Sequence, residues 1–195
     1  MITLTNRFNS RFDNQIQDWE RRAFVPLDET AAYERLDAFF VRESARRALT
    51  KTSGIEDVDL LDALIDAGFD EETLPALQLV PIAFAAWASD SVTDQESRAA
   101  VWSIYEFRLF EYPEAASRVQ RWLDVRPEQE LWDLWLAYTQ SRLENTPDTI
   151  RQVSGNQLLE QATAVAIASG GMMGIGTVCE AEQDVLDGIR NAYRV

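Results

Sequence analysis

The sequence predicts an all-α protein, a helical bundle of about seven to nine helices. Three observations predict it. Apolar residues recur at intervals of three and four along successive segments, Gly and Pro fall between those segments, and none alternates apolar and polar residues with the period of two that a strand requires. With 195 residues, 46% of them apolar, and six tryptophans, the chain can close a sizeable core.

The elements follow in order. Residues 1–27 are mixed and contain Pro26, with a short helix expected around Asn14 to Ala23. Asp28 stands as a cap before a helical stretch reaching about Lys51, which carries Leu36, Phe39, Phe40 and Val41 and then Arg42, Arg46, Arg47 and Lys51. Cations in a last turn suit the negative end of the helix dipole. Thr52-Ser53-Gly54 then breaks the chain and sets an expected boundary between an N-terminal helical appendage, 1–53, and a main helical domain, 54–195. Glu56 to Ala67 places Val58, Leu61, Leu64 and Ile65 on one face and stops at Gly68. Leu74, Leu77, Val80, Phe84 and Trp87 form one stripe, in a helix that Pro81 is expected to bend. Trp102, Tyr105, Leu109 and Tyr112 form another, and aromatic residues at this spacing read as core. A shorter helix with Val119, Trp122 and Leu123 lies between Pro113 and Pro127; Leu131, Leu134, Trp135 and Tyr138 mark the next. Leu158, Leu159, Ala162, Val165 and Ala166 lead into a glycine-rich break, followed by Val185, Ile189 and Ala192.

Composition excludes several chemistries. There is no histidine, which removes His-dependent triads, imidazole proton shuttles and the familiar zinc sites. The single cysteine, Cys179, forms no internal disulfide and fits a reducing, cytoplasmic setting. Any bound metal would therefore be a hard cation held by oxygen: calcium, magnesium or manganese. The longest apolar stretch, Leu74 to Ala88, is broken by Gln78 and Pro81, so direct membrane insertion is not expected, and Met1 to Thr5 lacks the basic head and apolar block of a secretory signal. Charge is uneven: residues 1–51 hold nine basic and eight acidic residues, whereas 52–195 hold nine and twenty-five. Such a surface repels nucleic acid and anionic lipid, and attracts cations and basic partners. The stretch Gly170 to Gly176 lacks the Lys-Ser/Thr of a phosphate loop and follows no strand, so it reads as close packing and a loose turn. Cys179 has no histidine base, no catalytic residue is assigned, and the chain reads as non-enzymatic.

Two segments 86 residues apart correspond. In Ala83 to Glu96 and Ser169 to Glu182, Val92 aligns with Val178, Thr93 with Cys179, Asp94 with Glu180, and Glu96 with Glu182. Thr93 and Glu96 have the spacing of a capping box, and each valine is placed to plug the core at a turn. A thiol caps poorly, so the box at Cys179 is expected to be weaker. The same acids support a second reading. Asp90, Asp94 and Glu96 set carboxylates at spacings of four and two through a turn, a candidate site for a divalent cation. Glu180 and Glu182 form the weaker counterpart, because Gly176 stands where Asp90 would.

The segment from Leu74-Pro75 through Glu96, with its Trp87-Ala88 lead-in, Asp90, Val92, Thr93 and Glu96, resembles the tellurite-resistance TerB-like helical family. Gly176-Thr177-Val178 to Glu182 is similar to that family's second half, so the resemblance spans about 56–195. It implies a helical bundle with two pseudo-repeated helix–turn–helix halves and an acidic surface that binds calcium or magnesium. It also implies an accessory, not an enzyme, that docks a basic or membrane-associated protein partner in a stress-response or signalling system. Two departures weaken the metal expectation: Ser91 where the family prefers glycine, and the acid missing at Gly176. Beside it stands the expectation of a purely structural protein-interaction domain with no metal site.

Overall fold

The computed structural model describes residues 29–168 and 178–195. The helix expected around Asn14 to Ala23, the cap at Asp28 and the stretch Gly170 to Gly176 lie outside the described residues. The chain divides into two units, one ending at Glu43 and one spanning Ser44–Val195. Helix α1 (Glu29–Ser53) contributes to both. In the first unit its apolar residues Tyr33, Leu36, Phe39, Phe40 and Val41 are exposed, with the Phe39 and Phe40 rings edge to face at 5.7 Å.

The regular structure of the second unit is all helical, with no strand among its described residues. It contains α2 (Val58–Asp66), a 3₁₀ segment (Leu74–Leu79), α3 (Val80–Ala86) and α4 (Asp94–Glu106). After a second 3₁₀ turn (Leu109–Glu111) come α5 (Pro113–Asp124), α6 (Gln129–Leu143), α7 (Asp148–Ala168) and α8 (Glu180–Tyr193). Local chemistry sets most of these boundaries. Helix α1 ends before Gly54, whose φ of 76° only glycine adopts without strain. The end of α1 is fastened to α2 by Arg46, whose Nε and Nη2 meet the two carboxylate oxygens of Asp62 at 2.6 and 2.5 Å. Asp57 caps α2 by accepting from the amides of Asp59 and Leu60 at 2.9 and 3.0 Å. That helix closes at Gly68 (φ 75°), where the Gly68 and Phe69 amides donate to Ile65 and Leu64 carbonyls.

Two expectations need correction. Pro81 does not bend a helix running from Leu74. It sits in the first turn of α3, where its missing N–H costs no hydrogen bond, and the preceding residues wind as 3₁₀. Nor do Trp102, Tyr105, Leu109 and Tyr112 share one buried stripe. Helix α4 stops at Glu106 and Arg108 turns the chain with φ 57°, so only Leu109 of the four is buried.

The core gathers around α3 and α7. Val80, Ile82, Ala83, Ala85 and Ala86 of α3 are fully enclosed, and α7 packs along α3, α4 and α8. Helix α7 turns Leu158, Ala162, Val165 and Ala166 inward. The Trp87 indole N–H donates to the Trp122 carbonyl at 2.7 Å, linking the end of α3 to α5. Two glycines allow close approach. A Cβ on Gly155 of α7 would lie 2.6 Å from Cβ of Tyr193, and one on Gly188 of α8 would lie 2.5 Å from the Trp132 ring.

Tyr193 Cβ is rooted next to its backbone and cannot swing aside. Gly155→Ala is therefore expected to lower stability by about 1–3 kcal/mol, despite alanine's better helix propensity. Urea denaturation at constant m-value checks this; a stabilised variant would show that α7 and α8 have slack there.

Candidate functional site

The turn between α3 and α4 carries the acids singled out in the sequence. Asp90 takes up the left-handed conformation itself, at φ 66°, so the following Ser91 has no need to be glycine. Its carboxylate is largely exposed and pairs with Arg126 at 2.9 Å. Asp94 is exposed in the first turn of α4. Glu96 is 0% exposed. Its Oε2 accepts from the Thr93 amide at 2.7 Å and from the Thr93 hydroxyl at 2.8 Å, while the Glu96 amide donates back to that hydroxyl at 3.2 Å. The capping box is complete, and the Glu96 Oε1 atom is buried without a hydrogen-bond partner.

The start of α8 repeats this geometry with sulfur. Glu182 is 3% exposed, and its Oε2 accepts from the Cys179 amide at 2.6 Å. The Glu182 amide donates to Cys179 Sγ at 3.4 Å. The thiol thus completes a box that the sequence suggested would be weak, because the Glu182 carboxylate supplies the shorter of its two bonds. Glu180, beside it, is exposed in the first turn. Val92 and Val178, the residues before each cap, both pack partly buried against the core. Among the described residues no three or more Asp, Glu or Cys side chains are gathered in a way that could hold a metal ion.

The aromatic residues expected in the core along α4 instead form a surface feature. Trp102, Tyr105 and Phe110 are 57%, 61% and 52% exposed, yet their rings stack in series, with centroids 5.5 and 5.4 Å apart and planes 30° and 27° from parallel. Val101 and Tyr112 are also exposed large apolar residues of this stretch. The buried face of α4 is instead Glu96, Ala100, Ser103 and Ile104. Its small residues were the available signal for which side faces inward.

An apolar groove of about 460 Å³ lies where α2, α5 and α6 meet, lined by Ala63, Ala67, Trp122, Pro127, Leu131 and Leu134, with Glu128 and Glu130 also on its wall. Arg118 forms part of its lining. Its guanidinium lies 3.9 Å over the Phe69 ring and donates to the Gly68 and Ala67 carbonyls at 2.6 and 2.5 Å, which places a cation on the C-terminal end of α2. Burial lowers its pKa below the ordinary arginine range. Next to it, Asp70 accepts from the Thr73 hydroxyl at 2.7 Å and from the amides of Thr73 and Glu72 at 2.9 and 3.1 Å. These bonds, the Thr73 hydroxyl foremost, hold the Asp70 carboxyl below its ordinary 3.8.

No family model matches the chain, and no curated protein or solved structure is significantly similar to it.

Thr93→Ala is expected to cost about 1 kcal/mol, while Cys179→Ser, which substitutes a better acceptor in the same geometry, should be neutral or stabilising by a few tenths; equal losses on thermal melting would contradict the match between the two boxes. Asp70 has a depressed folded pKa, so its contribution is fully present above pH 3.8 and is lost as pH falls through the lower folded value. The stability gap between the parent and Asp70→Asn should accordingly narrow on acidification below that pH, as read from urea midpoints.

Proposed function

We propose that this chain is a non-enzymatic helical docking module of TerB-like type, binding a protein partner through the exposed aromatic row Trp102–Tyr105–Phe110. The row is the observation that carries the reading. Trp and Tyr are the residues most often found at the energetic centres of protein interfaces, and a contiguous exposed apolar patch is unusual on a surface with no partner. Stacking holds the three rings in place, so less side-chain freedom is lost when a partner covers them. Twenty-five acidic against nine basic residues over 52–195 favour a partner with a basic surface, soluble or membrane-associated.

The TerB-like assignment is supported by the two capping boxes at Thr93–Glu96 and Cys179–Glu182, each preceded by a core-facing valine, which fit two pseudo-repeated helix–turn–helix halves. It brings with it an accessory role in a stress-response or signalling system. In this reading the acids serve the fold. Asp90 is engaged by Arg126, and Glu96 and Glu182 are engaged in their caps, leaving Asp94 and Glu180 exposed at the two helix starts.

Photo-crosslinking in cells from benzoylphenylalanine at Val101 should give one discrete adduct. Trp102→Ala/Tyr105→Ala should abolish it with little change in melting temperature, and the same probe at Asp184 should give none. Adducts of equal yield at both positions would overturn the reading. Calcium or magnesium at millimolar concentration is expected to leave the melting temperature unchanged. A rise that disappears in Asp94→Asn and Asp90→Asn would instead favour the divalent-cation reading of Asp90, Asp94 and Glu96.

A further inference from the structure

The groove between α2, α5 and α6 is a different surface from the aromatic row and has a chemistry of its own. Its floor and walls are aliphatic and aromatic: Ala63, Ala67, Trp122, Pro127, Leu131 and Leu134. At about 460 Å³ it has room for several apolar side chains. The charges on its wall differ in availability. Arg118 is committed to two backbone carbonyls and to the Phe69 ring. Glu128 and Glu130 are exposed at the start of α6 and keep their charge directed to solvent. An apolar trough with carboxylates at its edge is complementary to a helix that carries apolar residues along one face and lysine or arginine beside them.

We propose that this groove is a docking site for a basic amphipathic helix of another protein, the apolar face seated against Trp122, Leu131 and Leu134 and the flanking cations paired with Glu128 and Glu130. Apolar burial supplies the affinity and the two carboxylates set the orientation. Acidity elsewhere on the chain steers the approach but does not define the site.

The test uses the full chain and a fluorescein-labelled synthetic amphipathic helix of leucine and lysine, with binding read by anisotropy. A peptide of the same pattern with glutamate for lysine serves as the control ligand. Ala63→Phe fills the groove from an exposed helical position, and Glu128→Lys/Glu130→Lys reverses its edge. Each is expected to weaken binding of the basic peptide by about tenfold or more, corresponding to 1.4 kcal/mol. Glu180→Lys/Asp184→Lys makes the same change in net charge on α8 and should alter binding less than about twofold. The proposal fails if the basic peptide does not bind, if the acidic peptide binds as well, or if the two charge-reversal pairs weaken binding equally. It also fails if sedimentation velocity shows a dimer that Ala63→Phe dissolves, since the groove would then be covered by a second copy. Should Ala63→Phe fail to fold, as judged by circular dichroism, the comparison of the two charge-reversal pairs decides alone.

Discussion

Helix α7 has to lie against α3, α4 and α8 at once, and the rest of the second unit depends on that constraint. A helix with long side chains all round could not come near three neighbours. α7 manages it by turning Gly155, Ala162 and Ala166 toward them and keeping Leu158 and Val165 for the spaces between. Its neighbours reciprocate, α3 with Ala83, Ala85 and Ala86, and α4 with Ala100 and Ser103. The resulting contact depends on short reach, so it tolerates little added volume and has few ways to rearrange. The elements that rest on this centre also carry the surface features, the aromatic row on α4 and the 3₁₀ turn after it, and part of the groove on α6.

The two buried glutamates show how such a centre accommodates charge. Glu96 and Glu182 belong to a residue type that is rarely buried without partners. Each carboxylate is oriented by the backbone amide of the cap residue, and that of Glu96 by the Thr93 hydroxyl as well, while the Cys179 sulfur accepts instead from the Glu182 amide. The carboxylates therefore fix where α4 and α8 begin. A chain that shifted either start by one residue would lose the capping-box bonds and leave a carboxylate facing apolar neighbours. These acids act on the register of the fold, whatever partner the surface meets.

Much of the architecture was legible in the sequence because punctuation residues act locally. Gly54, Gly68, Pro113 and the Thr93–Glu96 pair mark boundaries by chemistry confined to a few residues. The inward side of α4 was not legible. Trp102 and Tyr105 have the same spacing as a core stripe, and an aromatic ring on an amphipathic helix gives no sign of whether a neighbour covers it. The decision came from Ala100 and Ser103, whose small size lets α7 approach, which is information about a partner helix some fifty residues on. Periodicity likewise ran past Glu106, since Phe107 and Arg108 contain neither Gly nor Pro to announce a left-handed turn. The acid-edged groove was hidden for a related reason: its walls come from three helices, and no single segment contains it.

The close seat of Trp132 against Gly188 has an optical consequence. The Trp132 and Trp135 rings are 4.7 Å apart, and Phe84 stands 5.2 Å from Trp132. Two indoles held this near at a fixed tilt couple their transitions, giving near-ultraviolet circular dichroism a chiral signal that freely rotating rings lose. Because α8 presents only a hydrogen atom to Trp132, that pair is held rigid by the packing of α6 against α8. Native packing of this bundle therefore has its own built-in chromophore, independent of any ligand or label.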